Sequence, residues 1–183
     1  IVTTTFDNGT TAYYTNNHLY DITYGNSTLV ATGSSGTIFT SSDGSTWTSR
    51  TSGTSNTLNG VTYGNSTFVT VGDSGTIITS SDGTSWTSRT SGTSNTLNGV
   101  TYGNSIFVTV GNTGTILTSS DGTTWTSRTG VTSNTLYKVI YVNNSFVTVG
   151  ESGTILTSSD GTSWTSGTSL LHQKTLLGVT YKE

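Results

Sequence analysis

The chain has no cysteine and no methionine among its 183 residues, and only 8% of them are charged. The absence of cysteine excludes disulfides, thiolate zinc sites and cysteine nucleophiles, but leaves the redox compartment open. No apolar run approaches the 18 residues that a membrane-spanning helix needs, which argues against membrane insertion. Because the chain does not begin with methionine, we expect a processed mature form or an excised segment from which any signal peptide has been removed.

Basic residues are scarce as well. Six Lys and Arg stand against nine Asp and Glu, which gives a net charge of −3. Nucleic-acid binding needs a basic stripe, and six scattered cations make none, so we expect no nucleic-acid partner. A surface of Thr, Ser, Asn and Gly with few charges is typical of secreted and cell-surface proteins. The composition therefore predicts an extracellular or cell-surface location.

A unit of 39 residues occurs four times. Its tryptophans and leucines keep that spacing, and the stretch 48–66 is identical to 87–105 (Trp47, Trp86, Trp125, Trp164; Leu19, Leu58, Leu97, Leu136). Only 30% of the residues are hydrophobic, but disordered chains lack aromatic and branched residues at fixed spacing, so we expect a folded chain. A period near 40 predicts a β-propeller or another stacked array.

Within each unit, short runs rich in Val, Ile, Thr, Tyr and Phe are separated by Gly-Asn and Asp-Gly turns. In the second unit we predict strands at 58–65, 66–72, 76–80 and 84–90. Four antiparallel strands in about 40 residues make one propeller blade. We therefore predict an all-β, single-domain propeller over 1–183, with full repeats at 19–57, 58–96, 97–135 and 136–175.

The ends of the chain predict a fifth, composite blade. LLGVTY at 176–181 matches the first strand of a repeat, and residues 1–18 supply two strands around an Asp7-Asn8-Gly9 turn. This blade lacks a second strand. Either the hairpin pairs directly with the C-terminal strand, or a strand arrives from another molecule, which would make the chain a subunit of a self-assembling extracellular filament or coat.

The turn before each tryptophan carries the sequence SSDG-[ST]-[ST]-W. It resembles the Asp-box of the bacterial neuraminidase repeat, S-x-D-x-G-x-T-W, with one residue fewer between Asp and Gly. The resemblance implies a propeller in which the box joins the third and fourth strands, away from any active site. Aspartate can accept backbone N–H bonds in the turn, glycine allows positive φ, and tryptophan packs between blades (Asp43, Asp82, Asp121, Asp160).

No residue set predicts catalysis. Arg50, Arg89 and Arg128 occupy one position in successive repeats, so the symmetry holds them apart and argues against a sialidase site. Each Asp-box has a single acid, whereas calcium takes 6–8 oxygens, so we expect no metal. His18 and His172 are isolated, and we expect them to be loop residues. We predict no enzyme activity and no cofactor.

Binding is the remaining function class. The inter-blade loops carry hydroxyls, a guanidinium and an amide, groups that hydrogen-bond sugar hydroxyls (Arg50, Asn56; Arg89, Asn95; Arg128, Asn134). Asp73 and Glu151 stand at the same turn tip of two repeats, and the other two repeats have Ser34 and Asn112 there. These tips either line a ligand or cation site or are polar turns without a function. The loops are therefore candidate lectin-like sites for glycans or a cell-surface partner, or else polar connections.

Three further interpretations stay open. A surface coat, adhesin or filament that self-associates through its terminal strands fits the same composition. The Asp-box resemblance also allows an assembly or scaffolding factor, since related propellers include such proteins. Sequons at Asn8, Asn26, Asn65 and Asn143 would make a secreted form a glycoprotein.

Overall fold

The structure, a computed structural model, describes residues 2–5, 11–14, 16–129, 131–167 and 174–180. Within them the chain forms four antiparallel sheets of four strands and a separate two-stranded hairpin. Each four-stranded sheet coincides with one predicted repeat and is called a blade. Across the described residues, no helical segment is long and apolar enough to cross a membrane.

The strands follow one another in order within each blade. The hairpin consists of β1 (Val2–Thr5) and β2 (Thr11–Tyr14). The blades are: first, β3 (Leu19–Gly25), β4 (Thr28–Gly33), β5 (Ile38–Ser41) and β6 (Thr48–Arg50); second, β7 (Leu58–Gly64), β8 (Thr67–Gly72), β9 (Ile77–Ser80) and β10 (Thr87–Arg89); third, β11 (Leu97–Gly103), β12 (Ile106–Gly111), β13 (Ile116–Ser119) and β14 (Thr126–Arg128); fourth, β15 (Leu136–Val142), β16 (Ser145–Gly150), β17 (Ile155–Ser158) and β18 (Thr165–Ser166).

Two kinds of turn connect the first three strands of each blade. The first two strands of the second blade meet at Asn65 and Ser66, both with positive φ (46° and 55°), as in a two-residue hairpin turn whose twist matches that of the strands. The second and third strands are joined by a 3-10 turn, Asp73–Gly75, in which Ser74 has φ 55°. These positions confirm the turns that were predicted from the sequence.

The core lies between the blades. The second blade packs Leu58, Val61 and Phe68 against Val30 and Ile38 of the first blade, and all five side chains are buried. The same arrangement recurs between the second and third blades and between the third and fourth. The first strands of successive blades also contact each other. Apolar burial of this kind stabilises the stack, because each thin sheet has a neighbour to cover its faces.

In the second, third and fourth blades, a tyrosine of the first strand lies over a glycine of the preceding blade. A Cβ added at Gly64 would come within 2.0 Å of Cγ of Tyr102, and Gly25 and Gly103 face Tyr63 and Tyr141 in the same way. The fourth blade has Val142 at this position. A following strand therefore cannot bring its tyrosine as close to the fourth blade as the others do.

The first blade, at one end of the stack, has an exposed face where the later blades have a buried one. Leu19, Ile22 and Tyr24 of the first blade are 50–65% exposed, whereas their counterparts in the second blade, such as Leu58 and Val61, are 0–4% exposed. An apolar groove of about 450 Å³ runs along this face and reaches Phe39 and Trp47. No described residue covers the face as the preceding blade covers it elsewhere.

The predicted terminal strands have different outcomes. The N-terminal hairpin is confirmed, with Val2 opposite Tyr14 and Thr5 opposite Thr11, while its Asp7-Asn8-Gly9 turn lies outside the described residues. The predicted C-terminal strand is not formed over 174–180, which have no regular secondary structure. Yet Leu176 N donates to Gly150 O and Gly153 N to Lys174 O, so this segment approaches the fourth blade where a next blade would start. Four blades are thus described, and a fifth is not.

Candidate binding face between the blades

The blades have two edges of different chemistry. One edge carries the first hairpin turns and the Asp turns, which join the third and fourth strands of each blade and contain Asp43, Asp82, Asp121 and Asp160. The other, called the linker side, carries the 3-10 turns and the linkers that lead from one blade to the next. Because the fourth strand of each blade runs toward the linker side, its last residue, Arg50, Arg89 or Arg128, lies there. All the predicted ligand-binding residues are on this side.

Among the described residues, three equivalent pockets open between consecutive linkers. The first, about 630 Å³, is lined by Asn56, Gly75, Arg89 and Gly92 among others. The second, about 390 Å³, has Asn95, Gly114 and Arg128 in the corresponding places. The third, about 350 Å³, has Asn134, Gly153 and Gly167. The repeat therefore copies one pocket three times, and glycine replaces arginine in the last copy.

The guanidinium groups are oriented by the neighbouring strand. The Nε of Arg89 donates to Thr79 Oγ1 at 2.9 Å, and the same bond joins Arg128 to Thr118 at 2.7 Å and Arg50 to Thr40 at 2.8 Å. Neither Nη of Arg89 or Arg128 donates to another described residue, and both side chains line their pockets. A guanidinium held in this way presents a flat pair of donors.

The asparagines have a structural role that the sequence analysis did not foresee. Asn56 Nδ2 donates to Thr76 Oγ1 at 2.8 Å, and Asn95 and Asn134 repeat the bond with Thr115 and Thr154 at 2.9 Å. These bonds tie each linker to the 3-10 turn of the following blade. In Asn56 and Asn134 the Nδ2 also donates to Asp73 O and Glu151 O at 3.4 Å, so the amide oxygen of these two side chains is left for a ligand.

Asp73 and Glu151 lie in different blades and are held by their own blades. Asp73 Oδ1 accepts a bond from Asn59 Nδ2 at 3.2 Å. Glu151 accepts from the Thr135 N–H and from the Tyr137 hydroxyl, and the backbone bond is the main cause that lowers the pKa of Glu151. Burial and the Glu151 carboxylate raise the pKa of Tyr137. No group of three or more His, Asp or Glu that could hold a metal occurs among the described residues.

The Asp turns are closed by their own carboxylates. Asp82 Oδ1 accepts from the backbone N–H of Thr84 at 2.8 Å and of Ser85 at 3.0 Å, while Trp86 Nε1 donates to Gly83 O at 3.1 Å. Hydrogen bonds to a carboxylate favour its charged form, so they lower the pKa of all four acids. The Thr84 and Thr123 hydroxyls are the largest cause for Asp82 and Asp121, and the Ser163 N–H is the largest for Asp160. For Asp43, the Thr46 and Ser45 N–H groups lower the pKa to about 2. The bonding to the backbone N–H groups is as predicted.

One charged pair, on the first strands of two blades, was not predicted from the sequence. Asp21 Oδ2 lies 3.4 Å from Lys138 Nζ and also accepts the Val61 N–H at 3.0 Å. The two side chains hold the same repeat position, where the middle repeats have Gly60 and Gly99. The sequence did carry a signal for this pair, because the first and fourth repeats have opposite charges at a position where the two middle repeats have glycine. The pair links the first blade to the fourth.

The remaining candidates are dispersed. His18 N donates to Ser34 Oγ at 3.0 Å, and the His18 ring lies 6.4 Å from the Tyr20 ring between centroids, in the first blade. His172 and Asn8 lie outside the described residues. Asn26 and Asn65 are exposed, and their amide nitrogens point at Ser81 and Ser120 of the next blade at 3.5 Å. Asn143 is exposed as well.

No protein-family model and no curated protein matches the chain. Solved structures do. YCF48 bound to a D1 peptide is 20% identical with a TM-score of 0.67, over 83% of this chain and 53% of that one. The WD40 β-propeller domain of Doa1 is 15% identical (TM-score 0.60; 90% and 56%). Trypanosoma rangeli sialidase, in complex with a difluoro-KDN, is 13% identical (0.57; 88% and 39%).

At these identities the likeness concerns the fold alone. The chain is all-β, and its blades are those of a β-propeller. It spans little more than half the length of the YCF48 chain that it matches.

Proposed function

We propose that this propeller is a non-catalytic, extracellular binding module that holds polar ligands, glycans first among them, in the pockets of its linker side. The observation that carries the proposal is the repeated pocket in which Thr79 and Thr118 orient Arg89 and Arg128. Hydroxyl, amide and guanidinium groups around a shallow pocket suit sugar hydroxyls. Repetition adds to avidity, because several weak sites engage one long ligand.

A glycan array tests this proposal directly. The full chain should bind a subset of glycans, and the double variant Arg89→Ala, Arg128→Ala should lose most of that signal while it keeps its thermal unfolding midpoint. Ser49→Ala, on an exposed part of the first blade, serves as the matched control. A blank array, or equal signal from the double variant, would contradict the proposal.

The proposal extends to the architecture. The Asp turns act as shortened Asp-boxes, and the terminal segments complete a fifth blade. Leu176 and Lys174 already bond at the edge of the fourth blade, and the first blade offers a bare apolar face. The hairpin of β1 and β2 is two strands wide and joins β3 through a short connection, so it is near enough to cover that face.

The same bare face favours the second candidate function, a filament or coat subunit. If a strand or blade of another copy covers Leu19, Ile22 and Tyr24, the contact is head-to-tail. Such contacts generate rings or open fibres. The state of the chain in solution separates this candidate from closure within one chain.

A further inference from the structure

We infer that the pockets at Arg89 and Arg128 select acidic glycans, those with a carboxylate or sulfate group, over neutral ones. This inference rests on the proposed binding function and narrows it to one ligand class.

The charge balance of each pocket points to an anion. Among the described residues that line the pocket of Arg89 there is no Asp or Glu, and the same holds for the pocket of Arg128. The guanidinium is therefore the single charge of each pocket. A cation without a protein counter-charge is best matched by an anionic ligand.

The geometry makes each guanidinium a defined donor. The bond from Nε to a threonine of the adjacent strand restrains the plane of the group. Each arginine lines its pocket, and its Nη atoms make no hydrogen bond to another described residue. A planar pair of N–H donors matches two oxygens of one carboxylate or sulfate. The rim adds hydroxyls of Thr93, Ser94 and Thr132, which suit the hydroxyls of the attached sugar.

The room for the ligand lies beside Gly92. This glycine lines both pockets, and a Cβ built on it would meet no atom within 4 Å. Its φ of 76° presents the backbone to open space. A sugar ring can thus approach the main chain between the two arginines without a side chain in the way.

The blades differ in a way that ranks the sites. The turn tip of the third blade is neutral Asn112, whereas that of the second blade is Asp73, whose Oδ1 is turned to Asn59. The fourth blade has Glu151 at its tip and Gly167 in place of arginine. We therefore expect the pocket of Arg128 to bind anions best and the pocket of Gly167 not at all.

The test compares ligands that differ only in charge. Tetragalacturonate, its fully methyl-esterified form and a sulfated galactose tetrasaccharide are titrated into the 15N-labelled chain, followed by amide shifts and calorimetry. The acid should bind about tenfold more tightly than the ester, in keeping with one charge-assisted hydrogen bond, and raised salt should weaken it. The sulfated sugar shows whether carboxylate, sulfate or both are accepted.

Variants locate the site. Arg128→Gln should reduce tetragalacturonate affinity about tenfold, Arg89→Gln less, and both should leave binding of the methyl ester unchanged. Gly167→Arg should create a third site for acidic glycans, since a Cβ added there meets no atom closer than 3.4 Å. Thermal unfolding of each variant confirms that the fold is retained.

The outcomes separate the inference from the function beneath it. If the ester binds as tightly as the acid, the inference is wrong and the glycan-binding function stands. If neither oligosaccharide binds, the inference fails, and the glycan array decides whether the binding function stands. A poly-glutamate peptide that shifts the same amides while tetragalacturonate does not would overturn the choice of glycan. If Arg128→Gln binds tetragalacturonate as tightly as the parent chain does, the inference that this arginine selects acidic glycans is wrong.

Discussion

Thr32 puts a hydroxyl where the other three blades carry Val71, Val110 and Val149. The side chain is fully buried, and its Oγ1 has no hydrogen-bond partner among the described residues. A buried hydroxyl without a partner costs about 1–3 kcal/mol. We expect Thr32→Val to raise the free energy of unfolding by about 1 kcal/mol, as measured by urea denaturation.

Thr70 provides the opposite case for comparison. It is equally buried, but its Oγ1 donates to Gly60 O at 2.8 Å. Thr70→Val leaves that carbonyl oxygen without its partner, and we expect a loss of about 1–2 kcal/mol. Equal effects of the two substitutions would show that the hydroxyl bond is not the cause.

Gly64 is required by its neighbour in the next blade. Its Cβ position lies 2.0 Å from Cγ and 2.6 Å from Cβ of Tyr102, so the clash is at the base of that side chain and rotation of the ring cannot relieve it. Gly64→Ala should therefore destabilise the chain by about 3 kcal/mol, as measured by thermal or urea unfolding. Gly178→Ala is the control, because a Cβ there meets no atom within 4 Å. A small effect at Gly64 would mean that the blades can shift apart.

The four Asp turns share one acid response. The folded-state pKa of each carboxyl is lowered, so the unfolded chain binds more protons at low pH and stability falls as pH falls. For Asp43 the window runs from the ordinary 3.8 down to about 2. We expect a constant unfolding midpoint from pH 7 to about 5 and a steep drop below about 4, read by circular dichroism.

A quadruple variant, with Asn at Asp43, Asp82, Asp121 and Asp160, tests the assignment. It should be less stable at pH 7 and show a flatter profile between pH 5 and 2. A profile as steep as that of the parent chain would assign the acid response to other carboxylates. The turns themselves should persist, because the bond from Trp86 Nε1 to Gly83 O does not involve the acid.

The strands and the Asp turns could be predicted because they depend on local sequence. Alternation, Asn and Gly in the turns and the spacing of Trp recur in every unit. The use of Asn56 as a tie between linker and turn, and the pairing of Asp21 with Lys138, could not be read in this way. Both depend on contacts between blades. The strand predicted at 176–181 matched a local pattern, but Val142 removes the glycine on which such a strand packs.

At the scale of the whole molecule, Asp21 and Lys138 tie the first blade to the fourth. The pair is partly exposed (18% and 37%), so its own contribution should be below about 1 kcal/mol. Asp21 also accepts the Val61 N–H. Asp21→Ala should therefore cost more stability than Lys138→Ala. A double-mutant cycle in urea should give a small positive coupling, and no coupling would show that the pair does not hold the blades.

What covers the bare face of the first blade decides whether the chain is a closed monomer or a subunit of a polymer. Light scattering should give the monomer mass of 19.1 kDa if the terminal segments cover that face within one chain. Fibres or long oligomers would instead support strand donation between chains. Burying a charged side chain under another strand costs free energy. Ile22→Asp should therefore lower the unfolding midpoint of a closed monomer sharply, and it should make a polymer dissociate. Ser49→Asp, on an exposed strand of the same blade, should do neither. An unchanged monomer after Ile22→Asp would mean that nothing covers the face, and both closure and polymerisation through it would be wrong.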